Sequence, residues 1–498
     1  MLTLGIDCGT SALKAVLVED GAVVAAASES YRPDNPRPGW SEQDPNVWRG
    51  AMGKALAALR EAEPKRFAGV KAVSFSGQMH GLLALDSANE PLRPAMLHND
   101  TRAADEARLL WEDHRGLADV VGVKPMPGFL GPKALWLAKH EPDILADAKT
   151  LALPKDFLRL QFCAERVTDM SDAAGTWWLD EARREWSEAA IAACGAAPRL
   201  APRLVEARDA VGRIGAQVAA EFGLSNEVII GAGGGDAPVG AVGLGAIWPG
   251  QAFISLGTAS QLVVISDVYR AAPASLVHSF AHAVPNAWYR MGAMLTGASA
   301  LAFAARLFEV SVQTLEREAA TAKGDGGPLF LPYLTGERTP HDDANARGVF
   351  FGLDPATSRA DCARAVMEGV AFTLADAKAA LAGAGDHFTQ VSLIGGGAKS
   401  RFWARLIASA LGVAVVLHKG GETGPALGAA RLAEAAAGGD LQAVCVAPPV
   451  AEVIEPEAEL SARLGERYVR FGALYQALKG EFARSSLPPL RGKVAGEA

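Results

Sequence analysis

Residues 2–7 and 12–18 carry the apolar, β-rich pattern of strands, with Gly9, Thr10 and Ser11 between them. Glu19, Asp20 and Gly21 then turn the chain into a third run, "AVVAAAS", at 22–28. Three short runs joined by turn residues predict an antiparallel meander. Asp44 follows as an N-cap with Pro45 at the first helical position, and "NVWRGAMGKALAALREAE" repeats its apolar residues at helical spacing. A strand pattern returns in "VKAVSFS" at 70–76. Meander, helix, strand and helix in this order predict an α/β domain on a mixed sheet.

The pattern then restarts. "ISLGTASQLVVIS" at 254–266 is a near copy of the glycine-hydroxyl bend in "LGIDCGTSALKAVLVEDG" at 4–21, and "AIWPG" at 246–250 punctuates the chain just before it. A second α/β series ends in "VSLIGGGAKS" at 391–400, leading into a helix. The expected division is therefore 1–248 and 249–498, the second with a C-terminal helical segment. The Ala-rich stretch 184–222 reads as helical. A chain of 498 residues, half of them hydrophobic, has enough apolar material for more than one core.

Charge and cysteine content narrow the class. A net charge of −8 provides no basic field for nucleic acid or an anionic membrane surface. Five scattered cysteines without a CxxC argue against a disulfide framework or a cysteine zinc site, and fit a reducing cytoplasm. The N-terminus has no leader pattern, and no apolar run reaches the roughly 18 residues of a membrane span.

Five stretches, the two bends among them, carry candidate chemistry. In each bend the backbone N–H groups and hydroxyls converge where an anion can sit, so two facing hairpins can clamp one polyphosphate without a Walker lysine; such turns also occur with no ligand at all. Strict GxxxxGK[ST] and GxGxxG patterns are absent. "EVIIGAGGGDAPVGAVGLGA" at 227–246 runs an apolar strand into glycines and then Asp236, which reads as a helix N-cap, as a proton acceptor, or as both. "SFSGQMHGLLALD" places Gln78, Met79 and His80 in a turn between strands, and "LHNDTRAADEA" offers Asp100 and Arg102 as a cap and its helical neighbour.

Taken together and in order, "GIDCGTSALKAVLV", "GWSEQDPNVW", "SGQMHG", "HNDTR", "PKDFLRL", "SDAAGTWWLD", "GAGGGDAPVGAVG", "SLGTAS", "FLPYLTGERTPH", "GVFFGL" and "LIGGGAKSRFW" resemble the FGGY carbohydrate kinases over roughly residues 4–435. Within that family the set is most similar to the xylulokinases. The resemblance implies a duplicated actin-like, ribonuclease H-like fold with ATP and sugar in a cleft between two domains, which accounts for the repeated bend. It implies Asp236 as catalytic base, Met79, His80 and Asp100 as sugar contacts, and Asp7 as the acid associated with Mg²⁺. Thr10, Ser11, Gly257 and Thr258 match the phosphate-holding residues, and Gly297, Gly396 and Gly397 fall where the nucleotide nears the backbone. Ala237, His98 and the Ala408-Ser409 pair depart from residues common in relatives, and the first two border the expected sugar site.

The implied chemistry is ATP-dependent phosphorylation of D-xylulose to D-xylulose 5-phosphate, with sugar and ATP as partners, a cytoplasmic setting and room for a homodimer. A kinase of ribulose, glycerol or another ketose, and a non-catalytic sugar sensor of the same fold, stay open at this level. An acid after the glycine run counts against the sensor.

Overall fold

The computed structural model describes residues 1–322, 324, 326–419 and 424–484. The expected meander forms as β1 (Leu2–Cys8), β2 (Ala12–Glu19) and β3 (Ala22–Ser30), paired antiparallel in sequence order. Asp44 caps α1 (Pro45–Ala62) by accepting the Asn46 N–H at 2.9 Å. β4 (Ala72–Gly77) then lies parallel to β1. Strands β5 (Ala210–Arg213) and β6 (Ile229–Gly231) complete the order β5-β6-β4-β1-β2-β3, and the short β7 (Gly234–Gly235) also pairs with β4. Such a sheet is mixed, as the pattern predicts.

The second sheet repeats this plan. β8 (Ala252–Leu256) and β9 (Ser260–Ser266) form the second hairpin, followed by β10 (Val277–Ala281) and β11 (Trp288–Met294). After α3 (Ala298–Leu307) and the long α4 (Arg359–Gly383), β12 (Gln390–Ile394) enters parallel to β8, as β4 does to β1. β13 (Ala414–His418) and β14 (Val450–Ile454) extend the order to β10-β11-β9-β8-β12-β13-β14. Two mixed sheets of like topology constitute the duplicated α/β fold.

Between them, helix packing crosses the expected division. α2 (Asp236–Leu244) and α6 (Gly424–Ala436) meet glycine to backbone. A Cβ on Gly428 would lie 1.9 Å from the Val239 oxygen, and one on Gly5 of β1 would lie 2.0 Å from the Ala426 oxygen. A helix from the second half of the chain thus packs on the first sheet, and only glycine admits so close an approach. Arg431 of α6 locks the contact by donating to the carbonyls of Val242 at 2.8 Å and Gly243 at 3.0 Å.

The helical expectation for 184–222 is corrected. That stretch holds helices Glu188–Ala193 and Ala216–Phe222, but also strands Arg203–Val205 and β5. Gly195, Pro198, Pro202, Gly212 and Gly215 interrupt it, and β5 gains ladder bonds with β6 that outweigh alanine's helical preference. At the other end of the chain, the C-terminal helix expected there is α7 (Ala458–Arg484).

Candidate active site

The carboxyl ends of the parallel strands of the first sheet bring the acids together. In register, Asp7 lies opposite Ser76 and Gly234 lies opposite Ser76 from the other side. β1 therefore delivers Asp7, and β7 delivers Asp236, to the carboxyl edge of the sheet on either side of β4, the place where ligands collect in open α/β sheets. Gly235, not Asp236, is the residue that caps α2; Asp236 is the first helical residue, and its Oδ1 accepts the Ala237 N–H at 2.8 Å. The N-cap reading is thus corrected by one position, and the carboxylate keeps lone pairs free for other work.

Electrostatics set these two acids apart from surface carboxylates. Burial, and then the nearby charge of Asp7, push Asp236 up from 3.8 to about 7. Burial pushes Asp7 up to about 6 against the easing contacts of Ser76 and Lys14. Oδ1 of Asp7 is buried without a hydrogen-bond partner. A divalent cation in contact with that oxygen would satisfy it and relieve the repulsion between the acids. Among the described residues no group of three or more acidic, His or Cys ligands forms a metal cage, which suits an ion completed by phosphate and water.

Next to this edge lies the "QMHG" turn. His80 sits at φ 71°, with its Nδ1 2.8 Å from the Gly175 oxygen. A carbonyl only accepts, so Nδ1 carries the hydrogen and Nε2 offers a lone pair. Burial holds the ring neutral, well below its usual range. The ring lies 4.4 Å from that of Phe129. Met79 packs on Gly235, where a Cβ would come 2.6 Å from its Cγ, and its sulfur is 3.7 Å from the Tyr289 hydroxyl across the cleft. Met79 thus packs on the residue before Asp236, and His80 lies beside it against Gly175.

Asp100 has a different setting from the one expected. It is 0 % exposed, and both oxygens are occupied: by the Ser41 N–H at 2.7 Å, the Arg102 N–H at 2.9 Å and the Arg102 guanidinium. Nor does it cap a helix, since the following helix, Ala104–Asp113, starts from Ala103. Enclosed in this way it ties the segment around Ser41 to Arg102 and presents no atom to solvent.

The second hairpin gathers the expected nucleotide residues. The Gly257 N–H bonds the Ala259 oxygen at 3.0 Å, as the Gly9 N–H bonds the Ala12 oxygen at 3.0 Å in the first. A Cβ on Gly297 would lie 2.5 Å from the Gly257 oxygen, and the next residue, Ala298, donates its N–H to that same oxygen at 2.7 Å. Gly397 packs on Leu256 at the end of β8, where a Cβ would fall 2.3 Å from Cδ2, and Gly396 opens to solvent beside it. Gly297 and Gly397 are thus buried against the end of β8 and its turn, while Thr258 and Gly396 are exposed there.

Several residues of the cleft escaped sequence reasoning. Lys133, wholly buried, donates to the carbonyls of His80 at 3.1 Å, Met96 at 3.2 Å and Leu97 at 2.6 Å, fixing the His80 turn to the segment at 96–97. Behind Gly234 and Gly235 lies a buried ionic cluster: Lys155 contacts Asp156 at 2.6 Å, Asp169 at 3.1 Å and Asp172 at 3.4 Å. Asp169 accepts from Ser171 Oγ at 2.5 Å, and that oxygen accepts the Gly235 N–H at 3.3 Å. From the second sheet comes His278, whose two ring nitrogens are buried without a hydrogen-bond partner and whose ring lies 6.0 Å from that of Phe129. Burial lowers the pKa of both His98 and His278, and the positive charge of the half-buried Arg338 adds to it. "PKD", "SDAAG" and "GERTP" were visible as strings, but nothing local says that their side chains converge.

Residues 2–243 match the N-terminal domain of the FGGY family of carbohydrate kinases, and residues 252–437 match its C-terminal domain. The chain belongs to the FGGY carbohydrate kinase family. Its membership makes it a kinase with ATP as phosphoryl donor. Similar proteins of this family include the xylulose kinase of Escherichia coli (strain K12), 42 % identical over 480 residues that cover 95 % of this chain and 99 % of that one. The xylulose kinase of Klebsiella pneumoniae is 44 % identical over 436 residues, 87 % of this chain and 89 % of that one. The crystal structure of a xyloylose kinase from Brucella ovis superposes with a TM-score of 0.93 at 43 % identity, covering 97 % of this chain and 100 % of the other. In this FGGY kinase no helix among the described residues is long and apolar enough to cross a membrane.

Proposed function

We propose that this FGGY kinase transfers the γ-phosphoryl group of ATP to the terminal hydroxyl of D-xylulose, giving D-xylulose 5-phosphate and ADP, with Asp236 as general base. The observation that carries this reading is that Asp7 and Asp236 arrive on either side of the carboxyl end of β4, with the neutral His80 three residues beyond that end. A sugar hydroxyl is a poor nucleophile, and its proton must leave as its oxygen bonds to phosphorus. Asp236 receives that proton; the bond from the γ-phosphorus to the bridging oxygen breaks, and its electrons depart with ADP. His80 orients the sugar by accepting a hydrogen bond from one of its hydroxyls at Nε2, and the two hairpins hold phosphate oxygens with backbone N–H groups and hydroxyls. Asp7 would hold Mg²⁺ through its unpartnered Oδ1, and the ion when bound supplies positive charge against the β- and γ-phosphates. The xylulose kinases above support the choice of sugar.

A coupled ADP-release assay across D-xylulose, D-ribulose, a ketohexose and glycerol tests the reading. D-xylulose is expected to give the highest kcat/KM. Ribulose or glycerol ahead by tenfold, or no sugar-dependent ADP release, would overturn it.

A further inference from the structure

Gln78, the residue after β4, is 1 % exposed and joins two parts of the cleft. Its Oε1 accepts from Thr10 Oγ1 at 3.4 Å and lies 3.2 Å from His98 Nδ1, while its Nε2 donates to the Gly9 oxygen at 3.5 Å. Gly9 and Thr10 belong to the first phosphate hairpin. His98 belongs to the sugar pocket, because Lys133 ties the carbonyl of Leu97 to that of His80, and the His98 carbonyl backs onto Gly128, beside Phe129. One amide oxygen therefore serves a donor from each side.

Hydrogen chemistry gives that arrangement a direction. An amide oxygen only accepts, so Nδ1 of His98 carries the hydrogen and Nε2 presents a lone pair for a sugar hydroxyl. Burial, with the charges of Lys133 and Arg338, holds this ring neutral, its pKa lowered to about 4. Thr10 has a single hydroxyl proton, and while it is given to Gln78 it cannot be given to a phosphate oxygen. A sugar hydroxyl donating to Nε2 polarises the ring and makes Nδ1–H a stronger donor. The shared oxygen, bound more firmly from His98, becomes a poorer acceptor for Thr10. All three contacts are longer than the optimum of about 3 Å, so the amide has room to shift.

We propose that Gln78 is a positioning residue that occupies the Thr10 hydroxyl until a sugar hydroxyl engages His98, and then releases it to the phosphates. Sugar binding would in this way raise the affinity for nucleotide. The inference rests on the sugar-kinase reading of the cleft.

Isothermal titration of the magnesium complex of a non-hydrolysable ATP analogue, with and without saturating D-xylulose, tests it. Wild type is expected to bind the analogue about fivefold or more tightly with sugar present. Gln78→Leu is expected to bind it without sugar as tightly as wild type does with sugar, within twofold, and to gain nothing further from sugar. His98→Phe is expected to stay at the weak level whether or not sugar is added, and Thr10→Val to be weak in both states. A purely structural role for Gln78 would weaken binding in both states, and that result overturns the proposal. Wild-type coupling in Gln78→Leu, or none in wild type, overturns it as well. Should Gln78→Leu melt early, His98→Phe and Thr10→Val carry the same test from the two ends, and preserved coupling in either is refuting. Wild-type enzyme that phosphorylates xylulose yet shows no coupling removes this inference alone, whereas wild type that neither binds nor phosphorylates xylulose removes the reading beneath it.

Discussion

Replacing Asp236 with Asn is expected to end catalysis and stabilise the fold at the same time. The Asp236 pKa rises on folding from 3.8 to about 7, chiefly through burial and then through the charge of Asp7. A folded pKa above the unfolded one means that the folded state holds the proton more tightly between those values. Stability therefore falls as pH climbs from about 4 to 7, and the full cost is present at pH 8. Three pKa units correspond to a ceiling of about 4 kcal/mol. Asp236 is partly open to the cleft, and water there screens its charge, so a gain of about 1–2 kcal/mol in the Asn variant is the expected effect. Asn keeps the Oδ1 that accepts the Ala237 N–H, so the helix start is preserved. Turnover should nonetheless drop about 100-fold or more, because the amide cannot take the hydroxyl proton. The assay pairs melting curves of both proteins at pH 5 and pH 8 with steady-state kcat at pH 8. Asn should melt higher at pH 8, with the advantage shrinking at pH 5. A melting difference independent of pH would refute the burial argument, and kcat within tenfold of wild type would refute Asp236 as the base.

Other consequences follow from the same site. In wild type, kcat/KM should rise with pH through a midpoint near 7, reaching about a tenth of its plateau one unit below it, as the base loses its proton; a flat profile from pH 5.5 to 8 counts against a carboxylate base. Asp7→Ala should cut kcat by about 100-fold at saturating MgATP while leaving the calorimetric affinity for xylulose within threefold, and loss of sugar binding instead would misplace Asp7. His80→Phe removes the Nε2 acceptor and should raise the sugar KM by about tenfold or more with the MgATP KM unchanged. Gly297→Ala drives a Cβ to 2.5 Å from the Gly257 and Ala259 oxygens; the second hairpin must shift, and KM for MgATP should rise more than KM for sugar.

Much of this protein was legible in its sequence because the signals are local. The three-strand meander, the Asp44 cap and the turn chemistry at Gly9 and Gly257 depend on residues a few positions apart, and period and turn type identify them. Repetition of the bend marked where a second α/β series starts, and the resemblance supplied the duplication that accounts for it. The order of the motifs pointed to the family, and with it to Asp7, Met79, His80 and Asp236. Local alanine content misled at 184–222, where a ladder with β6 across intervening turns decided the outcome.

What only the tertiary structure decided concerns contacts between distant segments. Nothing near Asp100 in the chain shows that Ser41 would join Arg102 in occupying both its oxygens and close it off from the cleft. No pattern predicts that α6 would cross to the first sheet on Gly5 and Gly428, or that one ammonium would hold the carbonyls of residues 80, 96 and 97. The elevated pKa of Asp236 and the neutrality of His80 arise from burial that exists only once both sheets have packed. Sequence determines which groups are available, through chemistry each residue carries alone; the fold determines their proton affinity and reach, because desolvation and proximity belong to the assembled cleft.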